Sequence, residues 1–157
     1  MSGKRAEWNI KNLGRAMSRL KEAIDEPETN KLAIDGTIQR FEFVFELTNK
    51  AMRHLLAHEG ITVTTPREAL KQAFRVGWLQ DETAWLQMLE DRNETSHIYN
   101  EDVAREIYGR IREEYPEMVR TYEVLRGWLE REREEKTREE GGPSSGGGGH
   151  GPGGKRN

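Results

Sequence analysis

Ile34, Ile38, Phe41, Phe45, Thr48, Met52 and Leu55 recur at steps of three and four residues, with no proline among them. Only a helix turns every member of such a series onto one side. The series predicts a helix from about Asn30 to Glu59, closed by Gly60, which accepts a left-handed backbone at little cost. A helix of that length takes most of its stability from neighbours packed on its apolar stripe. Phe43 and Leu47 lie well off the stripe, so the helix has apolar surface on a second side. A central helix that meets several neighbours would account for this, and so would a homodimer seam.

The rest of the chain supplies the neighbours. Leu13, Met17, Leu20 and Ile24 draw one stripe on a helix from about Lys4 to Ile24, and Pro27 closes it. Thr65-Pro66-Arg67-Glu68 is a capping box with proline at the first helical position, opening a helix that runs to about Val76 and stops at Gly77. Asp81 caps a fourth helix through about Arg92, with Trp85, Leu86 and Leu89 inward. Asn100 caps a fifth, whose stripe is Val103, Ile107, Ile111, Met118, Leu125 and Leu129. Pro116 interrupts that helix, so a kink or a break is expected near Tyr115. The charged run EREREEKTREE reads as its frayed, solvated end. No strand-like alternation with hairpin turns appears. The expectation is an all-α, up-and-down bundle of four to five helices over residues 1–138. Residues 139–157 form a Gly-rich tail: positions 141–157 hold nine Gly and two Pro and have nothing to bury, so disorder is expected there.

Composition narrows the function. The 157 residues suit one domain with a core that needs no staples. The absence of Cys excludes disulfides, zinc–thiolate sites and Cys nucleophiles. The N-terminal MSGKRAEWNIKNLG lacks the apolar core of a signal peptide, and no apolar run approaches the roughly 20 residues of a membrane span. A soluble, cytoplasmic protein is expected. Net charge is −3, and setting aside Lys155 and Arg156 leaves 23 basic against 28 acidic side chains, a net −5. A strongly basic nucleic-acid footprint is therefore missing, and contact with RNA would need a local patch.

The stretch DRNETSHIYN, residues 91–100, concentrates the chemistry. Arg92 and His97 are five apart, at the end of the fourth helix and in the loop beyond it. An Arg fork matches a phosphate, and a His takes or gives a proton near neutrality. Together they are the minimum kit for cleaving RNA without a metal: the His handles the proton of a 2′-hydroxyl or leaving oxygen, and the Arg neutralises charge growing on the phosphate. Asn93 could orient the phosphate or the His. The plainer account is that Ser96 and His97 cap a helix end while Arg92 pairs with Glu94 or Asp91. Spacing alone favours the plainer account.

WLQMLEDRNETSHIYNEDVAREIYGRI resembles the HEPN superfamily, whose signature is Arg, a polar residue, three more residues and then His. It is similar in particular to the nucleotidyltransferase substrate-binding branch, as are FEFVFELTNKAMRHLLAHEGI and TPREALKQAFRVGWL, which occur here in that order. The resemblance covers about residues 8 to 130. It implies a helical bundle that dimerises with its two Arg-x4-His motifs facing across a cleft, and a small nucleotidyltransferase, encoded by a neighbouring gene, as partner. In related toxin–antitoxin pairs the HEPN protein is an RNase toxin, silenced when the nucleotidyltransferase adds AMP to a tyrosine two residues after the His. Arg92, Asn93 and His97 then carry over as the catalytic set and Tyr99 as the modification site. The alternative implied is a substrate-binding adaptor without RNase activity.

Other clusters carry less. His54 and His58 have a chelating spacing, but Leu55 stands where a zincin has Glu, and both lie in last turns that favour His. Arg67, Lys71 and Arg75 form a basic stripe that could follow an RNA backbone, or be solvated surface. Tyr108, Tyr115 and Tyr122 suit packing better than base stacking. Neither a cofactor nor a bound metal is expected. With no phosphate-cradling Gly loop and no Asp-x-Asp pair, the chain is not itself a nucleotidyltransferase.

Overall fold

Four helices begin where the sequence supplies an acceptor for otherwise unpaired N–H groups. Asn30 Oδ1 accepts from the Leu32 N–H at 3.0 Å, Thr65 Oγ1 from Glu68 at 3.1 Å, and Asp81 Oδ1 from Ala84 at 3.0 Å. Asn100 Oδ1 accepts from Asp102 at 2.9 Å and Val103 at 3.1 Å. The computed structural model describes residues 2–95 and 100–141. The helices are α1 (Ser2–Ile24), α2 (Lys31–His58), α3 (Pro66–Arg75), α4 (Glu82–Thr95) and α5 (Glu101–Gly141), with no strand among the described residues. None of these helices is long and apolar enough to cross a membrane.

One cap departs from the expected box. The Glu68 carboxylate reaches past Thr65 and accepts from the Thr64 N–H at 3.1 Å. At the other ends, α2 and α3 close alike. Gly60 and Gly77 have φ of +86° and +90°, and the following N–H groups of Ile61 and Trp78 return to the carbonyls of Leu56 and Ala73 at 2.8 and 2.9 Å. This is the closure that glycine permits most cheaply.

The chain divides into two units, residues 1–125 and 126–157. In the first, α2 is the central element and packs against α1, α3 and α4. Its predicted stripe is buried throughout, from Ile34 to Leu55. Phe45 links Phe41 to Trp85 of α4, with ring centroids 6.4 and 6.1 Å away. The Trp85 indole N–H donates to Thr121 Oγ1 of α5 at 3.0 Å, which satisfies the one polar atom of a side chain that is otherwise wholly apolar and buried. Phe43 remains 54% exposed and Leu47 is half-buried, so these neighbours cover the second apolar side of α2 only in part.

α5 runs through Pro116 as one helix rather than breaking there, although the proline withholds an N–H from the Arg112 carbonyl. Flanking Ile111 and Met118 are buried and hold both sides of the proline in place. Tyr108 is buried, and the Tyr115 hydroxyl donates to the Met17 carbonyl at 3.4 Å. Within the second unit, residues 126–141 are helical to Gly141 instead of frayed, and Arg126 pairs with Glu130 at 3.0 Å. Pairs at that spacing support a solvated helix.

α1 approaches α5 closely at Gly14. A methyl group there would lie 2.6 Å from the Tyr122 hydroxyl. Gly14→Ala should therefore destabilise the bundle by about 1–2 kcal/mol in urea unfolding, even though Ala is the better helix former by about 1 kcal/mol. Adding Tyr122→Phe should recover most of that loss.

Candidate functional site

The candidate site is built on the last turn of α4. Asp91 is 1% exposed there, so its charge must be answered locally. Arg110 of α5 does so with a two-point grip, Nε to Oδ2 at 3.1 Å and Nη2 to Oδ1 at 2.7 Å. Gln87 Nε2 adds a third bond at 3.1 Å. Glu114, one turn further along α5, gains no such partner, and its Oε2 is buried without a hydrogen bond. Burial first, and then the charge of Asp91, push the Glu114 carboxyl up from its ordinary 4.5 to about 7.

Arg92, the next residue, faces α2. Its Nη2 lies 3.4 Å from Glu46 Oε1, and its Nε is buried with no hydrogen-bond partner. Three residues on, Thr95 Oγ1 lies 3.1 Å from Glu42 Oε2 and 2.9 Å from the Arg92 carbonyl, the two acceptors its proton can reach. A cavity of about 350 Å³ opens beside this turn, lined by Gln39 and Glu42 of α2, Glu94 and Thr95 of α4, and Asn100 and Val103 at the start of α5. Among the described residues Arg92 thus stands in acidic surroundings and is held by one long ion pair, to Glu46. The pairing with Glu94 or Asp91 that spacing suggested is not formed: Arg92 reaches Glu46, while Asp91 is taken by Arg110.

Of the other expected site residues, Asn93 is exposed on α4. His97 and Tyr99 lie outside the described residues, as does Ser96. Of the motif, Arg92 and Asn93 are described; Glu46 lies against Arg92, Glu42 against Thr95, and Asn100 caps the helix that follows. Arg67, Lys71 and Arg75 are exposed along α3 and line none of the contacts around Arg92. Among the described residues no group of three His, Asp or Glu gathers as a metal site; His54 is half-buried and His58 exposed. Glu42, Glu46, Arg110 and Glu114 escaped the sequence reading. The one available signal was Asp91, a carboxylate three residues after the inward Met88.

An all-helical bundle carrying an Arg at the α4 end and a capped α5 start defines the class of protein. Residues 8–127 match the family model described as nucleotidyltransferase substrate binding protein like, and the chain belongs to that family, a HepT-like branch of the HEPN superfamily. It is 35% identical over 83 residues to a probable ribonuclease HepT of Haemophilus influenzae, a match covering 50% of this chain and 57% of that relative. The chain thus spans little more than half the length of that curated relative. Two solved structures are similar over 74% of this chain and 98% of their own. One, from Thermus thermophilus, has a TM-score of 0.63 at 34% identity. The other, from Haemophilus influenzae, has a TM-score of 0.66 at 28% identity and was described as the fold of a substrate-binding domain of a nucleotidyltransferase.

The raised Glu114 pKa has a measurable consequence. The folded state holds this proton up to about pH 7, whereas the unfolded chain releases it near 4.5, so stability falls as pH rises between those values. Glu114→Gln removes the cost of ionisation. It should stabilise the protein by about 1 kcal/mol at pH 8, less than the full shift implies because the carboxyl keeps some solvent, and by nothing measurable at pH 4.5. Urea unfolding at the two pH values measures the difference.

Proposed function

We propose that this protein is the RNA-cleaving, toxin-like partner of a small nucleotidyltransferase, acting as a homodimer. The observation that carries the reading is the state of Arg92. It is positioned by a rigid helix end, yet among the described residues it is held by a single 3.4 Å contact to a half-exposed Glu46. Such a pair is worth little, and a phosphate, which can take two N–H groups of the planar fork at once, is the better partner. In this reading Arg92 clamps the scissile phosphate and stabilises the charge that grows on it. His97 moves the proton of the attacking 2′-hydroxyl or the leaving oxygen, and Asn93 orients one of them. Similarity to the probable ribonuclease HepT supports the activity, and family membership supports the nucleotidyltransferase partner. Tyr99 is the proposed acceptor of AMP. A bulky anion at that position would repel the RNA phosphate from the pocket it must enter.

The purified wild-type protein should cleave tRNA or mRNA in EDTA. His97→Ala and Arg92→Ala should each lower the rate by at least about 100-fold while changing unfolding free energy by less than about 1 kcal/mol. Intact RNA after prolonged incubation with wild-type protein would sink the activity. The regulatory part is read separately: co-expression with the nucleotidyltransferase should add the mass of AMP to the wild-type chain and not to Tyr99→Phe.

A further inference from the structure

α1 and α2 run antiparallel, and successive turns of each face the same groove. Lys4, Arg5 and Trp8 of α1 stand with Lys50, Arg53 and His54 of α2 around a cleft of about 580 Å³. The next turns bring Arg15 and Arg19 of α1 against Arg40, Phe43 and Leu47 of α2 around a second cleft of about 300 Å³. Among the described residues, seven cations line the two stretches and no carboxylate does, although the chain as a whole is acidic, at −3. Arg40 is tied down, donating to the Arg19 carbonyl at 2.7 Å with Glu22 at 3.7 Å. Lys4, Arg5, Arg15, Arg19 and Lys50 point into solvent, and the Arg53 Nε is buried with no hydrogen-bond partner. Burial, followed by the charges of Arg5, Arg53 and Lys50, holds the His54 pKa below its usual value. The indole of Trp8 is 62% exposed among these cations, a flat aromatic face open to a stacking partner.

We propose that the α1/α2 groove binds single-stranded RNA, with Arg5, Arg15, Arg19, Lys50 and Arg53 on its phosphates and Trp8 stacked on a base. Charge decides among occupants. A two-fold seam between copies of this chain through Phe43 would set one basic stripe against the other, which is repulsive. A polyanion removes the repulsion, and an exposed indole between cations is the arrangement that holds a flexible strand without reading its sequence. The groove also has the right length. Arg5 and Arg19 are fourteen residues apart on α1, about 21 Å along the axis, room for a few nucleotides. Its Lys50 stands near the residue that pairs with the proposed catalytic Arg. Lys50 lies one helical turn from Glu46, about 6 Å, and Glu46 is the residue that holds Arg92. The purpose assigned to the groove rests on the RNA-cleaving reading, but binding is measurable without cleavage.

The test is fluorescence anisotropy of a labelled single-stranded RNA of about 12 nucleotides, titrated with the full-length His97→Ala chain in EDTA, so that no cleavage intervenes. Arg5→Glu with Lys50→Glu should weaken binding at least about 10-fold and flatten the salt dependence by about two in the log–log slope. Trp8→Ala should weaken it by roughly 5- to 100-fold with the slope unchanged. Undiminished affinity in both variants overturns the proposal. So does loss confined to Arg67→Glu with Lys71→Glu, which would put the strand on α3. Undiminished affinity with dissociation of the oligomer makes the groove a seam between copies. Undiminished affinity with loss of the nucleotidyltransferase complex makes it a protein-docking face. Tight, groove-dependent binding in a protein that cleaves no RNA would uphold the groove and refute the catalytic reading alone.

Discussion

The buried Asp91 carboxylate governs the geometry of the whole α4–α5 junction. A charge only 1% exposed is tolerable because the Arg110 fork meets both of its oxygens and Gln87 meets one of them again. Removing one partner would strand the other, at several kcal/mol, so α4 cannot slide or rotate on α5 without large loss. The restraint is directional. With Asp91 fixed toward α5, the helical turn of about 100° per residue directs Arg92 toward α2. Trp85 reinforces the same alignment nearly two turns earlier through its bond to Thr121. The four residues between Thr95 and Asn100 thus connect two anchored ends, one set by a buried ion pair and the other by a helix cap.

α2 carries a gradient of charge that connects the two sites. Asp35, Glu42 and Glu46 precede Lys50, Arg53, His54 and His58 along it, with Lys31 and Arg40 set among the acids. Only His58 in the last turn accords with the helix dipole, since the first turn holds Lys31 and no acid. The order separates two tasks. Of the acids, Glu46 pairs with Arg92 and Glu42 with Thr95 three residues on. The bases face α1, where they meet a second row of cations. Net charge hides this arrangement because the two halves cancel. At physiological ionic strength the field of an exposed charge is screened over about 8 Å, so an approaching strand responds to the local groove more than to the overall −3.

Local signals in the sequence led to the right caps and stripes where cause and effect lay within one turn. Thr65, Asp81 and Asn100 were legible as caps because an N-cap bonds to an N–H two or three residues away. The stripe of α2 was legible because helical periodicity is a property of consecutive residues. Pairings across helices left no such trace. Asp91 and Arg110 are 19 residues apart, and Glu46 and Arg92 are 46 apart, so no spacing rule joins them. The basic stripe on α3 could be seen because Arg67, Lys71 and Arg75 share one helix. The richer basic groove could not, because it is assembled from two antiparallel helices and each contributes only part of it. Residues 96–99, with His97 and Tyr99, are outside the described residues, so the motif's second half rests on the family to which the chain belongs.

Glu46 is where the two proposed sites meet. It holds Arg92 at 3.4 Å and stands one turn before Lys50, the nearest cation of the groove on the same helix. In the proposed reading a phosphate drawn along Lys50 arrives beside an Arg whose present partner makes one long, solvent-screened contact. The exchange of carboxylate for phosphate is favourable because the guanidinium plane can then form two parallel, charge-assisted hydrogen bonds instead of one weak pair. It also needs no movement of α4, since Asp91 keeps the helix end where it is. The rigid element thus fixes where the cation sits, and the weak pair leaves that cation exchangeable, two properties that one strong salt bridge at Arg92 could not combine.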